Sequence, residues 1–256
     1  MIYLLSPAKT LDYESDVPSL RSTKPRFLDD SAELAAIMKK MKPADLGKLM
    51  GISSKLAELN AERFDDWQPD FSKPEAREAI LAFKGDVYQG LAVEDWKKED
   101  FAAAQKSIRI LSGLYGILRP LDLMLPYRLE MGKKVKTERG TNLYHFWGSQ
   151  LTESLNKELK GDKDAVINLA SNEYFSAIKT KELKSPVITP VFKDWKNGKY
   201  KVISFFAKKA RGEMAAWAVK NKIEKPAALK KFKGSGHAYD KDLSDESSWV
   251  FLRKEA

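Results

Sequence analysis

Residues 186–221 have the sequence PVITPVFKDWKNGKYKVISFFAKKARGEMAAWAVKN, in which two β-rich segments are followed by a helical one. The β-rich segments are 186–189 and 199–205, and Asn197-Gly198 lies between them. Asn-Gly is a preferred two-residue turn in β-hairpins because both of its residues tolerate positive φ. We therefore predict a hairpin here, and a hairpin of this kind requires a sheet to join.

A helix is predicted directly after the hairpin, over about 207–221. Its apolar positions follow helical spacing, at Ala210, Met214 and Trp217. Lys208 and Arg211 share another side of the same helix, because residues three apart are neighbours on a helical surface. The combination of hairpin and helix indicates a protein of mixed α and β structure.

The rest of the chain alternates between short apolar runs and helical patterns. Strands are predicted at residues 2–5, 107–118, 165–169 and 249–252, the first two of them buried, with a loop at Arg119-Pro120 after the second. Helices are predicted at about 31–42, 44–50, 54–65, 74–83, 98–105 and 146–159. We predict a single domain over residues 1–256, of α/β (mixed α+β) class, with a central mixed sheet flanked by helices.

The composition excludes several classes of site. The 256 residues include no Cys and only two His, so disulfides, thiolate nucleophiles, zinc ribbons and multi-histidine metal centres are excluded. Any bound metal would need Asp and Glu ligands. The start of the chain lacks the features of a signal peptide, and no apolar stretch is long enough to span a membrane. We expect a cytoplasmic protein without membrane contacts.

Positive charge is concentrated in one segment. The chain has 45 Lys and Arg against 36 Asp and Glu, a net charge of +9, and residues 193–233 alone carry 13 basic and 3 acidic side chains. A localised excess of Lys and Arg is typical of proteins that bind polyanions, because phosphates release condensed counterions on contact. The alternative is a solvated, lysine-rich surface without a partner, and charge alone leaves both open.

Residues 49–57, with the sequence LMGISSKLA, lie between two predicted helices. They resemble the hairpin of the helix–hairpin–helix module of DNA-repair proteins, with Ser53 where that module has its second Gly. A tight turn into a helix N-terminus directs free backbone N–H groups at a phosphate, and Lys55 adds a charge. The alternatives are that the Ser53 hydroxyl caps the second helix, and that the segment is an ordinary helical pair.

Three further polar segments follow apolar runs, at residues 6–12, 111–132 and 168–175. Lys9 and Thr10 in the first segment suit an anion site at a strand end, although the glycines of a P-loop are absent. In the second, charged residues among apolar neighbours indicate either buried ion pairs or the lining of a cleft; these are Arg119, Asp122, Arg128 and Glu130. The sequence shows no pattern of a nucleophile, a histidine and an acid, and both His are expected to be structural or surface residues.

Several long blocks together resemble the YaaA family of bacterial peroxide-stress proteins. They are SPAKTLDYES, ISSKLAELNAERFDDWQPDF, AILAFKGDVYQGL, LSGLYGILRPLDLMLPYRLEMG, NLASNEYF and FFAKKARGEMAAW, and the resemblance runs from Ile2 to about Phe251. It implies one α/β domain of unusual topology, a helix–hairpin–helix element, a positively charged cleft and binding of double-stranded DNA. It also implies a role in surviving hydrogen peroxide that is linked to low intracellular free iron.

The resemblance assigns candidate DNA-binding residues in this chain. The helix–hairpin–helix element falls at about 43–65, with its hairpin at Gly51, Ile52, Ser53, Ser54 and Lys55. The cleft is expected to draw on basic residues within the similar blocks, namely Lys9, Lys84, Arg119, Arg128, Lys208, Lys209 and Arg211.

The leading hypothesis is a protein that binds double-stranded DNA through phosphates, without sequence preference, cofactor, metal or known protein partner. The alternative is an enzyme acting on DNA or a nucleotide in the same basic cleft, with Asp and Glu as acid–base groups. A third hypothesis, prompted only by the stress role, is direct binding of iron by carboxylates.

Overall fold

The computed structural model describes residues 1–254. Its strands are β1 (Ile2–Leu5), β2 (Thr10–Leu11), β3 (Arg77–Glu78), β4 (Phe83–Lys84), β5 (Ile108–Ser112), β6 (Gly116–Leu118), β7 (Leu123–Met124), β8 (Val166–Asn168), β9 (Val187–Lys196), β10 (Lys199–Lys201), β11 (Ala238–Asp240) and β12 (Ser248–Arg253). Its α-helices are α1 (Leu28–Lys39), α2 (Pro43–Met50), α3 (Ser54–Asp66), α4 (Ala79–Ala82), α5 (Asp86–Leu91), α6 (Lys98–Ser107), α7 (Leu143–Trp147), α8 (Gln150–Glu158), α9 (Asn172–Phe175) and α10 (Ser204–Lys220). Short 3-10 helices lie at Val93–Asp95, Gly161–Lys163, Thr180–Glu182, Pro226–Lys231 and Gly234–Gly236.

The central sheet has the strand order β11-β12-β9-β8-β1-β5-β6, and β10 pairs with β9. Neighbouring strands from β12 to β5 run parallel, while β11 and β6 are antiparallel to their neighbours. Helices α6 and α10 contact β1, and all of β1 is buried, as expected where crossover helices cover a parallel sheet. The predicted α/β fold with a central mixed sheet is confirmed.

The hairpin predicted around Asn197-Gly198 is also confirmed. Lys196 pairs with Lys199 across the turn, and Asn197 and Gly198 have φ of 56° and 76°, the two positive values of a type I′ turn. The second strand is shorter than predicted, because it ends at Lys201 and α10 already begins at Ser204. Packing of α10 against β9 and α5 overrides the β preference of its first aromatic residues.

Helices α2 and α3 form the helical pair predicted for residues 43–65. Gly51 ends α2 with a φ of 66°, and Ser53 caps α3 by accepting a hydrogen bond from the Leu56 N–H. The alternative in which the Ser53 hydroxyl caps the second helix is therefore confirmed. The assignment of this pair as a helix–hairpin–helix module stays a prediction.

Two predicted elements are each divided in the structure. The predicted strand at 107–118 is an antiparallel hairpin of β5 and β6, whose turn is held by the Ser112 hydroxyl accepting from the Tyr115 N–H at 2.9 Å. The helix predicted at 146–159 is two helices, because Gly148 adopts a φ of 50° between α7 and α8. In both cases a glycine permits a reversal or break that the apolar pattern conceals.

The prediction of a helix at 74–83 is wrong over most of that segment. The segment holds only one helical turn, α4, between the two-residue strands β3 and β4. Tertiary pairing decides this conformation, since β3 pairs with β7 and β4 pairs with β2. Helix α5, which follows at once, was not predicted.

Helix α5 crosses α10 at unusually close range. A Cβ on Gly212 would lie 1.8 Å from the Val87 carbonyl oxygen, and a Cβ on Gly90 would lie 2.1 Å from the Lys209 carbonyl oxygen. Only glycine fits at these two positions, so the crossing is fixed by backbone contact. Across residues 1–254, no helix is both long enough and apolar enough to span a bilayer.

Candidate functional site

The strand order of the central sheet reverses at β1. From β1 the chain passes to β5 on one side, and it later returns to β8 on the other side of β1. In open α/β sheets, ligands bind in the crevice beyond the carboxyl ends of the strands at such a reversal. The residues that follow β1 and β8 are therefore the first candidates for a site.

Several hydroxyl groups lie at this reversal. Ser171, after β8, donates its backbone N–H to the Ser6 hydroxyl, after β1, at 2.8 Å, and the two hydroxyl oxygens are 3.3 Å apart. Tyr88 of α5 donates its hydroxyl to the Ser6 carbonyl oxygen at 3.1 Å. Ser112, at the end of β5, contacts the Tyr127 hydroxyl at 2.6 Å. Three parallel strands thus present hydroxyl groups at the same edge.

A buried carboxylate, Glu130, lies beside these hydroxyls. Its Oε1 accepts from the Arg128 guanidinium at 3.0 Å and lies 3.6 Å from the Lys9 Nζ. Its Oε2 is buried and has no hydrogen-bond partner among the described residues. Burial raises the pKa of Tyr127 and of Tyr174 well above the ordinary range, and the nearby charge of Glu130 raises both further. These phenols therefore act here as neutral hydrogen-bonding groups.

Three lysines at the same edge each contact a carboxylate. They are Lys9, Lys84 and Lys208, and we call them the lysine cluster. They are close because Thr10 pairs with Lys84 across β2 and β4, and Asp86, which contacts Lys208, lies just beyond Lys84. The side chains of Lys9, Lys84 and Lys208 are 67%, 61% and 50% exposed, whereas their partners Glu130, Asp12 and Asp86 are 6%, 17% and 28% exposed. The cations therefore face solvent and the carboxylates lie beneath them.

One of these carboxylates, Asp12, is held in its charged form. Hydrogen bonds from the backbone and hydroxyl of Ser15, supported by one from Lys84, keep the pKa of Asp12 well below its usual range. The Arg77 guanidinium adds a contact to Asp12 at 3.5 Å. A carboxylate with several donors anchors the lysine above it, which presents the ammonium group outward.

The β9–β10 hairpin extends from the same edge of the sheet, because it begins at the carboxyl end of β9. It carries the exposed cations Lys196 and Lys199, and exposed Trp195 packs edge-on against Tyr200 at 4.9 Å. At the start of α10, the Phe205 ring is also exposed. This part of the edge therefore carries both aromatic and cationic side chains.

The turn at Gly51–Lys55 is connected to the Glu130 region by one loop. Lys133 donates to the carbonyl oxygen of Met50, the last residue of α2, at 3.0 Å. Within the same loop, the Gly132 N–H donates to Glu173, which follows β8, at 2.9 Å. The loop therefore joins the predicted hairpin to the edge that carries the lysine cluster.

The remaining predicted cations lie in different environments. Arg119 pairs with the buried Asp122 at 2.8 Å and donates to the Lys24 carbonyl oxygen. It follows β6, which runs back from the carboxyl edge, so the structure does not bring it to the lysine cluster. Lys209 lies 3.9 Å from Glu213. Arg211 is largely buried, and this burial lowers the pKa of its guanidinium.

Sequence reasoning identified the cations of this edge better than its hydroxyl groups. Ser6, Tyr88 and Tyr127 were not singled out, although Ser6 lies in a segment that had been chosen as an anion site. For Ser6 the available signal was its position immediately after the apolar run at residues 2–5. His237 is completely buried, as expected for a structural histidine, and burial lowers its pKa. Within residues 1–254, no three His, Asp or Glu side chains converge to hold a metal ion.

Comparison with known proteins gives a match over nearly the whole chain. The family model described as "Peroxide stress protein YaaA" matches residues 1–243. A "UPF0246 protein" of Teredinibacter turnerae is 54% identical over 256 residues, and one of Saccharophagus degradans is 55% identical over 256 residues, in both cases across 100% of each chain. A "UPF0246 protein" of Hahella chejuensis is 52% identical over 254 residues, or 99% of each chain.

Proposed function

We propose, because this chain belongs to the YaaA family of peroxide stress proteins, that it acts in that response by binding double-stranded DNA at the carboxyl edge of its sheet. The observation that carries the proposal is the lysine cluster, in which Lys9, Lys84 and Lys208 face solvent above carboxylates that are less exposed than they are. A polyanion approaching this edge meets ammonium groups first. DNA phosphates suit such an arrangement, because each neutralised phosphate releases counterions.

Two projecting elements support duplex DNA as the polyanion. A two-stranded β-ribbon fits the major groove, and the β9–β10 hairpin is a two-stranded element with exposed lysines. The turn at Gly51–Lys55 offers backbone N–H groups at the start of α3, where the helix dipole also favours phosphate. Contacts of both kinds reach the backbone of DNA, so we expect binding that is tolerant of sequence.

The lysine cluster can be tested with the double substitution Lys84→Ala and Lys208→Ala. If both side chains neutralise phosphates, the slope of log affinity against log salt should fall by about two units. Stability should hardly change, since exposed ion pairs contribute about 1 kcal/mol or less. Fluorescence anisotropy of a labelled duplex over a range of salt concentrations measures the slope.

The matched control is Lys181→Ala with Lys184→Ala. Both lysines are exposed and precede β9, so they lie at the opposite, amino-terminal edge of the sheet. The control should retain the wild-type slope. Equal slopes for both double variants would place the DNA elsewhere on the protein, and absence of binding at low salt would refute the proposed function itself.

The turn is tested separately by Lys55→Glu. Reversing one charge beside a phosphate should weaken binding to duplexes of unrelated sequence by the same factor, because phosphate contacts carry no base information. Titration of three duplexes of different sequence provides the measurement, with Lys181→Glu as the charge-matched control. Unaltered affinity for all three duplexes would contradict a role for the turn in DNA binding.

A second candidate function, an enzyme acting on DNA or a nucleotide, is favoured by one observation. Glu130 is buried beside neutral phenols and two cations, and purely electrostatic DNA binding does not need such a carboxylate. Incubation of the protein with nicked, damaged and intact duplexes, with and without Mg²⁺, tests this function. Chemical conversion of any of them would establish it, and unchanged substrates in every mixture would leave DNA binding as the better description.

A further inference from the structure

We infer that Glu130 is the recognition group of a nucleotide site at the carboxyl ends of β1 and β8, which takes a nucleobase bearing an exocyclic amino group together with its 5′-phosphate. The inference deepens the proposed function, on which it rests where the nucleotide belongs to DNA. It starts from the Oε2 atom of Glu130, which is buried without a partner among residues 1–254. A buried charged acceptor is costly unless a donor satisfies it.

The surroundings of Glu130 define what that donor must be. Arg128 and Lys9 both contact Oε1, so this oxygen is already engaged in ion pairs while Oε2 is left to accept. The Tyr127 hydroxyl is engaged with Ser112 at 2.6 Å, and no donor among residues 1–254 lies within hydrogen-bond distance of Oε2. Because no described residue donates to Oε2, the donor is expected to come from a ligand.

Lys9 gives a ligand access to the carboxylate. Its side chain is 67% exposed whereas that of Glu130 is 6% exposed, and 3.6 Å separate the Lys9 Nζ and the Glu130 Oε1. The ammonium group therefore lies at the boundary between the solvent and the buried oxygen. A long lysine side chain moves easily, so a ligand can displace it and reach Oε2.

The chemistry on both sides of Lys9 fits a nucleotide. A carboxylate accepts well from the amino groups of adenine, cytosine and guanine, as it does from cytosine in DNA grooves. Thymine offers its ring N–H between two carbonyl oxygens, which a carboxylate repels. Beyond Lys9, the exposed ammonium group of Lys84 suits a phosphate, and it is adjacent because Thr10 pairs with Lys84. The donors for a phosphate and the acceptor for a base thus lie side by side.

The first test uses free mononucleotides with the full-length protein. Calorimetric titration should show that dCMP or dAMP binds about tenfold more tightly than dTMP or inorganic phosphate, the effect of about one hydrogen bond to a charged group. Glu130→Gln should lose this discrimination, whereas Glu94→Gln, an exposed residue outside the site, should retain it.

The second test places the same bases in DNA. Duplexes with one unpaired cytosine or adenine are compared by anisotropy with a duplex containing one unpaired thymine and with a fully paired duplex. A preference for the amino bases only within DNA identifies an extruded nucleotide as the ligand, and a preference only among mononucleotides identifies a free nucleotide. Either result supports the inference.

The inference is overturned if neither set of ligands shows a preference for amino bases over thymine. If Glu130→Gln fails to fold, the discrimination measured on the wild-type protein still decides the question. Binding to the fully paired duplex tells failure of this inference apart from failure of the proposed function. Salt-dependent binding of that duplex without base discrimination would leave DNA binding intact, and discrimination among mononucleotides without duplex binding would leave the nucleotide site intact.

Discussion

Glu158→Gln is expected to lower the free energy of unfolding at pH 7 by about 3 to 5 kcal/mol, the range for breaking a buried ion pair. Arg109 on β5 is 3% exposed, and its Nε donates to both carboxylate oxygens of Glu158 at 3.0 and 3.1 Å. The same guanidinium donates to the Gln105 carbonyl oxygen at the end of α6. Loss of the Glu158 charge would leave Arg109 buried without a counterion.

This substitution should also change how stability depends on pH. Burial alone would raise the pKa of Glu158, but hydrogen bonds from Arg109 and Arg26 outweigh it and lower the pKa from 4.5 to about 2. A carboxyl whose pKa is depressed on folding stabilises the protein above its unfolded value and loses that contribution as pH falls. The wild-type protein should therefore lose about 3 kcal/mol from this group between about pH 5 and pH 2.

Urea unfolding at pH 7, 5 and 3 measures both effects. The variant should show a weaker dependence on pH than the wild type, and the difference between their curves isolates the contribution of Glu158. Glu153→Gln is the control, since it lies on the same helix α8 but is exposed. Equal unfolding midpoints for Glu158→Gln and the wild type at pH 7 would show that Arg109 does not depend on this partner.

The elements that could be predicted from sequence are those set by local chemistry. The type I′ turn at Asn197-Gly198 was predicted because this dipeptide supplies both positive φ values without help from the rest of the fold. The cap of α3 by Ser53 follows from the same kind of local hydrogen bond. Family membership was also predictable, because long blocks of the chain carry it.

The elements that could not be predicted depend on distant partners. The strands β2, β3 and β4 have two residues each, and each exists only because a remote segment pairs with it. The candidate site likewise depends on segments that are distant in the chain. Ser6 and Ser171 are far apart in the chain, and they meet because β1 and β8 are neighbours in the sheet. No local pattern in either segment indicates that pairing.

Gly212→Ala is expected to be the most damaging single methyl addition in α10. The new Cβ would lie 1.8 Å from the Val87 carbonyl oxygen and 2.9 Å from the Leu91 nitrogen. Both are backbone atoms of α5, so no side chain can rotate away and α5 must move as a unit. Added atoms in a packed interior typically cost about 1 to 3 kcal/mol, and we expect about 3 kcal/mol or more here because the obstruction is backbone.

A matched substitution separates this steric effect from a general effect of alanine. Gly47 is also inside a helix, α2, but a Cβ there would lie 3.5 Å from the Ala57 Cβ and 3.6 Å from the Ile52 carbonyl oxygen, which are ordinary contacts. Because alanine favours a helix over glycine by up to about 1 kcal/mol, Gly47→Ala should leave stability unchanged or raise it. Thermal unfolding should therefore show a clearly lower Tm for Gly212→Ala and an unchanged or higher Tm for Gly47→Ala.

The displacement of α5 in Gly212→Ala should reach the candidate site as well. Asp86 begins α5 and contacts Lys208 on α10, so a shift between these helices separates the pair and moves Lys208 away from Lys84. The salt dependence of DNA binding should then weaken even at temperatures where the variant is folded, whereas Gly47→Ala should bind DNA with the wild-type slope. A stable Gly212→Ala protein with wild-type DNA binding would show that the crossing of α5 and α10 does not set the position of the lysine cluster.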